Sequence, residues 1–199
     1  QEAVPSRQFD ISKIDFDLLS REFAHTRQKN LLLRDLDELV NQQLAKMLFA
    51  NPQRIDYYDR YQEIIDAYNA EQNRATIEKT FMDLMELASS LDTEQQRYVR
   101  EGFSSDEELS VYDLLFSENL TKQEIEAIKK VSVDLLTKIK QQIAKLDHWT
   151  DKQETKAIVD NLIRKTLWQE LPNSYDVSDI QTYQKKIYEY VYMRYPEVA

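Results

Sequence analysis

The sequence predicts an all-α protein, a single irregular domain of about eight helices with no sheet. Only one Gly and four Pro occur in 199 residues. A β domain or a doubly wound domain of this length needs many Gly for turns and for positions of positive φ. Helix-capping signals and apolar residues at helical spacing recur along the chain instead. The composition therefore favours helices joined by short polar segments.

The most clearly marked helix runs from Asn51 to Asn69. Asn51 is a favourable N-cap, and Pro52 suits the first helical position because the amide it lacks would be unpaired there. At about 100° per residue, the aromatic and aliphatic side chains fall on one face and most carboxylates on the other. We expect the packed face to contain Tyr57, Tyr58, Tyr61, Ile64, Ile65 and Tyr68.

Two arginines on this helix are candidate contacts. Arg54 projects into the first turn of the packed face, and Arg60 lies at its flank. Each guanidinium group needs a carboxylate, a carbonyl or a phosphate as its partner. A structural Arg and Tyr network between helices is the commoner arrangement, and direct contact with a partner protein or with nucleic acid is the alternative. Arg54, Tyr57 and Arg60 are therefore candidates for both roles.

Capping signals and periodicity predict the remaining helices. Residues 1–13 have no helical period, so we expect a linker or a chain end there and a helical domain over 14–199. A short helix begins near Ser12 and Asp15 and ends near Thr26, and Gly102 is suited to the left-handed position that ends a helix. The further helices span about 30–49, 74–91, 93–100, 105–116, 121–146, 151–170 and from 178 on. Four of these begin with capping-box spacing, namely Thr93 with Gln96, Ser105 with Glu108, Thr121 with Glu124 and Ser178 with Gln181.

The charge is unevenly distributed along the acidic chain. The formal net charge is −10, and residues 1–120 hold 13 Lys and Arg against 24 Asp and Glu, whereas the remainder is nearly balanced. Such a chain is not expected to grip nucleic acid by itself, although a basic face can line a groove built with other domains. The most basic stretch runs from Lys152 to Lys165. Within it, Lys156, Arg164 and Lys165 are candidate contacts that we expect to lie near one another.

The sequence lacks the residues that several kinds of binding and catalytic chemistry require. A phosphate-binding Walker loop needs two Gly and a dinucleotide-binding fingerprint needs three, but Gly102 is the only one. The sequence has no Cys, so it offers no disulfide or thiolate and is compatible with a reducing cytoplasm. No apolar run approaches the roughly 18 residues of a membrane span. We therefore expect neither a cofactor nor a membrane association for this chain.

Two short patterns imitate metal sites. Glu22 and His25 have the spacing of a di-iron ligand pair, but that site needs a second such pair, which the sequence lacks. Glu154-Thr155-Lys156, with Asp147 or Asp151 upstream, imitates the carboxylate and Lys spacing of restriction-type nucleases, where it lies on a strand rather than in a helix. Neither His25 nor His148 has a recognisable nucleophile partner. We therefore expect no metal and no catalytic residue.

Four long runs carry a resemblance to a known family. They are NPQRIDYYDRYQEIIDAYN, RYVREGFSSDEELSVYDLL, LDHWTDKQETKAIVDNLI and YQKKIYEYVYMRY. In this order they resemble the C-terminal helical domain of the type I restriction enzyme R subunit, which is the motor and endonuclease chain. The similarity extends from about Phe9 to Tyr195. The family-like residues are Asn51, Pro52, Arg54, Tyr57, Arg60 and Tyr61, then Arg97, Arg100 and Gly102, and finally Trp149.

The resemblance implies a role in a bacterial, cytoplasmic complex that translocates and cleaves double-stranded DNA with ATP. Its partners would be the modification and specificity subunits of a methyltransferase core and the other domains of the R subunit. ATP and Mg²⁺ would bind only in the motor and nuclease domains. Three hypotheses follow: a noncatalytic docking module, a DNA-binding element of the motor, and an independent hydrolase for which the sequence offers no site. Arg97, Arg100 and Trp149 join the candidate contacts.

Overall fold

The computed structural model describes residues 13–196, which form only helices and connecting segments. The all-α prediction is confirmed, whereas the signal at Ser12 lies outside the described residues. A short 3-10 turn, Pro52–Arg54, precedes the third α-helix. Within the described range the α-helices are α1 Phe16–His25, α2 Lys29–Ala50, α3 Ile55–Ala70, α4 Arg74–Gln95, α5 Arg97–Arg100, α6 Asp106–Leu115, α7 Lys122–Ile143, α8 Gln153–Glu170 and α9 Val177–Arg194.

The chain divides into two compact units, residues 1–97 and residues 98–199. Each unit has its own cluster of buried apolar side chains, as expected where amphipathic helices bury one face against their neighbours. We call them the first and the second unit. The single domain expected over residues 14–199 stays a prediction.

In the first unit, α2 and α3 pack mainly against α4. The rings of Phe23 and Phe81 stack nearly parallel, with centroids 3.6 Å apart, which joins α1 to this core. Tyr61 is buried, and its hydroxyl donates a hydrogen bond of 2.7 Å to Oδ1 of Asp37. Burial and this carboxylate raise the pKa of Tyr61. The remaining core is aliphatic and includes Leu36, Val40, Leu44, Leu84, Leu87 and Leu91.

The second unit is built on α7, which packs against α6 and α8, while α9 packs against α8 and α6. Tyr175, in the connection between α8 and α9, is buried and its hydroxyl donates to the carbonyl oxygen of Leu115 at 2.7 Å. This bond satisfies a backbone acceptor at the end of α6. The core side chains come from all four long or medium helices and include Leu109, Leu115, Ile128, Leu135, Ile139, Ile163, Leu167 and Ile187.

Several predicted helix ends are confirmed. Thr121 and Glu124 form a reciprocal capping box at the start of α7, and Ser105 accepts a hydrogen bond from the amide of Glu108 at the start of α6. Gly102 has φ +84°, and the amides of Gly102 and Phe103 donate to the carbonyl oxygens of Val99 and Tyr98. This pair of bonds is a Schellman motif, so Gly102 ends α5 as predicted.

Two predicted helix starts are wrong, and a third is confirmed in part. The capping box at Thr93 does not form, because α4 continues through Gln95 and the Thr93 hydroxyl donates to the carbonyl of Ser89 inside that helix. In α9 the cap is Asp176 with Asp179, two residues before the predicted Ser178. Asn51 does act as an N-cap, but for the 3-10 turn, and α3 itself begins only at Ile55. Aspartate caps as well as serine does, and helix interiors accept Thr, so local spacing alone was ambiguous.

None of the helices in residues 13–196 combines the length and the apolar character that a membrane span requires.

The buried hydroxyl of Tyr61 leads to a stability prediction. Tyr61→Phe removes the donor to the partly buried Asp37 and is expected to cost about 0.5 to 1.5 kcal/mol, while Tyr61→Ala also loses the ring and is expected to cost about 3 to 5 kcal/mol. Urea unfolding followed by circular dichroism measures both. Tyr58 is exposed in the same helix, so Tyr58→Phe is the matched control and should stay within about 0.5 kcal/mol. Equal losses for the two Phe variants would contradict the assignment.

Candidate contact surfaces

Arg54 lies in the interior of the first unit, where it is 4% exposed. Its Nε donates to Oε1 of Glu94 at 3.0 Å. Glu94 lies near the end of α4 and is itself only 6% exposed. Arg97 begins α5, and its Nε donates to both carboxylate oxygens of Glu94 at 3.0 Å. Two guanidinium groups therefore share one buried carboxylate.

Tyr57 completes this cluster, which we call the Glu94 cluster and which consists of Arg54, Tyr57, Glu94 and Arg97. Burial, the negative charge of Glu94 and a hydrogen bond to it raise the pKa of Tyr57. The cluster links the 3-10 turn and α3 to the end of α4. Arg54 therefore has a structural role in the first unit, with Glu94 as its carboxylate partner. Sequence reasoning missed Glu94, although its position three residues before Arg97 was a signal.

The other arginines of the first two family-like runs are more exposed. Arg60 donates through Nη2 to Oε1 of Glu86 at 2.9 Å, in a pair that solvent reaches. Arg100 is exposed at the end of α5. Exposed pairs of this kind contribute little to stability, typically about 0 to 1 kcal/mol. Arg60 and Arg100 are thus better placed than Arg54 to meet a partner.

Trp149 is a packing residue of the second unit, with 1% of its surface exposed. Its Nε1 donates to the carbonyl oxygen of Tyr195 at 2.6 Å, and its ring meets Tyr188 and Tyr192 edge to face. The hydroxyl of Thr155 donates to the Trp149 carbonyl at 2.7 Å. These contacts fix the segment after α7 to the start of α8 and to the C-terminal half of α9.

The three predicted cations of α8 do not form one cluster. Lys156 is half-buried with its Nζ 5.7 Å from the ring centroid of Tyr192, on the side of α8 that faces α9. Arg164 and Lys165 are exposed and lie two turns further along, about 12 Å by the helical rise. The guanidinium group of Arg164 donates to Oδ1 of Asn161 at 3.0 Å. The structure therefore brings Arg164 and Lys165 together but places Lys156 elsewhere.

A polar groove of about 570 Å³ lies between α8 and α9. Near its centre the side-chain amide of Gln184 donates to Oδ1 of Asp160 at 2.9 Å. Burial, and then the charge of Asp160, raise the pKa of Tyr188 on the groove wall. The remaining lining residues are Ala157, two amides and two cations, namely Gln153, Gln181, Lys156 and Lys185.

Sequence reasoning also missed the exposed face of α8. Trp168 is 50% exposed and Ile158 is 42% exposed, beside Arg164 and Lys165. The signal was present, because the core positions Val159, Ile163 and Leu167 place Trp168 on the opposite side of the helix. A large aromatic ring on the polar side of an amphipathic helix is unusual enough to attract notice.

The residues that imitate metal sites are distributed without a metal-binding arrangement. Glu154, Thr155 and Lys156 lie in the first turns of α8, a helix rather than a strand. His25 is the last residue of α1, and His148 lies in the segment between α7 and α8. Among residues 13–196, no group of three or more acidic or histidine side chains is placed to hold a metal ion.

The described residues thus form helices and connecting segments, and their candidate contacts are either buried, as Arg54 and Trp149 are, or reached by solvent, as Arg60, Arg100, Arg164 and Lys165 are. Comparison with protein families supplies its class, since the chain belongs to the C-terminal domain family of type I restriction enzyme subunits. The matching model is that of type I restriction enzyme HindI endonuclease subunit-like proteins, C-terminal, and it covers residues 2–195. The resemblance seen in the sequence is thereby confirmed. No curated protein and no solved structure matches the chain significantly.

The Glu94 cluster leads to a second stability prediction. Glu94→Ala leaves Arg54 buried without this carboxylate and is expected to cost about 3 to 5 kcal/mol, because a buried charge that loses its partner is strongly destabilising. Urea unfolding is again the measurement. Glu86→Ala, which removes the exposed partner of Arg60, is the matched control, with an expected loss of about 0 to 1 kcal/mol. Similar losses for the two variants would show that the cluster is not a structural element.

Proposed function

We propose that this chain is a noncatalytic module that docks the endonuclease subunit of a type I restriction enzyme onto its methyltransferase core. The partners would be the modification and specificity subunits, together with the remaining domains of the endonuclease subunit. The complex would translocate and cleave double-stranded DNA with ATP in the bacterial cytoplasm. ATP and Mg²⁺ would be bound by the motor and nuclease domains rather than by this chain. The family assignment supports this proposal, because the matched model belongs to an endonuclease subunit.

The observation that carries the docking role is the set of large apolar side chains exposed on the second unit. These side chains do not belong to the buried apolar cluster of the unit. Exposed apolar residues beside cations are typical of surfaces that bind another protein. They include Ile158, Trp168, Val177 and Met193.

Deletion of residues 13–196 from the intact endonuclease subunit tests the proposal. We expect the truncated subunit to lose assembly with the methyltransferase core by at least tenfold in affinity, measured by analytical ultracentrifugation or surface plasmon resonance. Its ATPase activity with free DNA is the check that the motor domains still fold. The intact subunit carrying Glu86→Ala serves as the matched control. Assembly of the truncated subunit at the affinity of the intact one would refute the docking role.

A DNA-binding element of the motor is a second candidate, and the groove between α8 and α9 favours it. Lys156 and Lys185 line this groove together with the amides of Gln153, Gln181 and Gln184. Ammonium and amide groups are the usual donors to phosphate oxygens in protein–DNA contacts. The net charge of −10 opposes such binding by the isolated chain, so the groove would act only within the assembled motor.

Salt dependence tests this second candidate. If both lysines contact phosphates, Lys156→Gln with Lys185→Gln should lower the slope of log affinity against log salt by about 2, since each phosphate contact contributes close to 0.9. The measurement is fluorescence anisotropy with duplex DNA and the assembled complex over a range of KCl concentrations. Lys79→Gln, which alters an exposed side chain of α4 in the first unit, is the control. An unchanged slope would remove the groove from the DNA path.

A further inference from the structure

We infer that the outward face of α8, formed by Ile158, Asn161, Arg164, Lys165 and Trp168, binds an acidic amphipathic helix of another subunit. The inference rests on the proposed docking function and gives it a surface and a partner chemistry. All five side chains are exposed. We call them the α8 face.

The spacing of the α8 face is that of a helix–helix seam. Ile158, Asn161, Lys165 and Trp168 follow one another at intervals of three, four and three residues, so they form one stripe along the helix. Arg164 lies beside the stripe, four residues before Trp168. The stripe is about 15 Å long by the helical rise, which is about three turns. A single partner helix can cover it.

The composition of the α8 face favours a protein partner. Its two ends, Ile158 and Trp168, are large and apolar. Ile158 is 42% exposed and Trp168 is 50% exposed. Burying them against a partner removes apolar surface from water, whereas a phosphate backbone offers them little apolar surface to pack against. Trp and Arg are also the residues that most often dominate the affinity of protein interfaces.

Charge decides what kind of helix fits. Lys129, Lys138 and Lys140 in the second unit each pair with a glutamate. In the described part of the chain Arg164 instead donates to the neutral amide of Asn161, and no carboxylate lies within 4 Å of Arg164 or Lys165. Two cations thus remain between two apolar ends. A partner helix with carboxylates at its middle and apolar residues toward both ends complements this pattern.

Two variants of the intact endonuclease subunit test the inference, with the methyltransferase core as the binding probe. Trp168→Ala and the double variant Arg164→Glu with Lys165→Glu should each weaken assembly by at least tenfold. All three residues are exposed, so the thermal unfolding of both variants should match that of the parent protein. Met82→Ala and Lys79→Glu, which alter an exposed apolar residue and an exposed cation of the first unit, are the matched controls and should assemble normally.

The outcomes separate this inference from the docking function itself. If the deletion of residues 13–196 abolishes assembly while both α8 variants assemble normally, docking occurs through another surface and the inference is overturned. If the variants assemble normally but lose affinity for DNA, the α8 face is a DNA contact and the inference is equally overturned. If the deletion leaves assembly unchanged, the docking function fails and the inference fails with it. Loss of assembly in both variants, with unchanged DNA affinity, supports the inference.

Discussion

The carboxylate of Glu94 is the group on which the first unit most depends, because it satisfies two guanidinium groups and a phenol in a largely dry interior. Removing charges from water costs several kcal/mol per ion, so the Arg54 pair is not a large net source of stability. Its importance lies in what happens when Glu94 is lost, since Arg54 then stays buried without this carboxylate. The cluster thereby holds the turn before α3 against the end of α4 in one geometry.

The second unit is held at its helix ends by side chains that bind backbone carbonyls. The hydroxyl of Tyr175 donates to the carbonyl oxygen of Leu115, the last residue of α6. The indole of Trp149 donates to the carbonyl oxygen of Tyr195, which follows the last residue of α9. The last carbonyls of a helix have no partner within the helix, so each of these bonds satisfies a group that burial would otherwise penalise. Aromatic residues supply both the donor and the apolar surface around it. Tyrosines of α9 add ring contacts to the same packing, since Tyr188 and Tyr192 both meet the ring of Trp149.

The cations of the chain fall into two groups with different consequences. Those with carboxylate partners, such as Arg54 and Lys138, neutralise charge within a unit and are poor candidates for attracting a partner. Arg164 and Lys165 lie on an exposed face between apolar side chains, where their charge can select a partner. Because the net charge of the chain is negative, these two exposed cations indicate the charge of a partner surface better than the net charge does.

The sequence by itself determined what depends on neighbours a few residues apart. The all-helical class, the end of α5 at Gly102 and the start of α7 at Thr121 follow from local hydrogen bonding and backbone conformation, and these predictions are confirmed. Even locally, Thr93 and Ser178 misled, because a capping residue type is also tolerated inside a helix. The tertiary structure alone decided which residues meet across distant segments. Arg54 and Glu94 are forty positions apart, and the burial of Trp149 depends on how α8 and α9 pack, which no local pattern specifies.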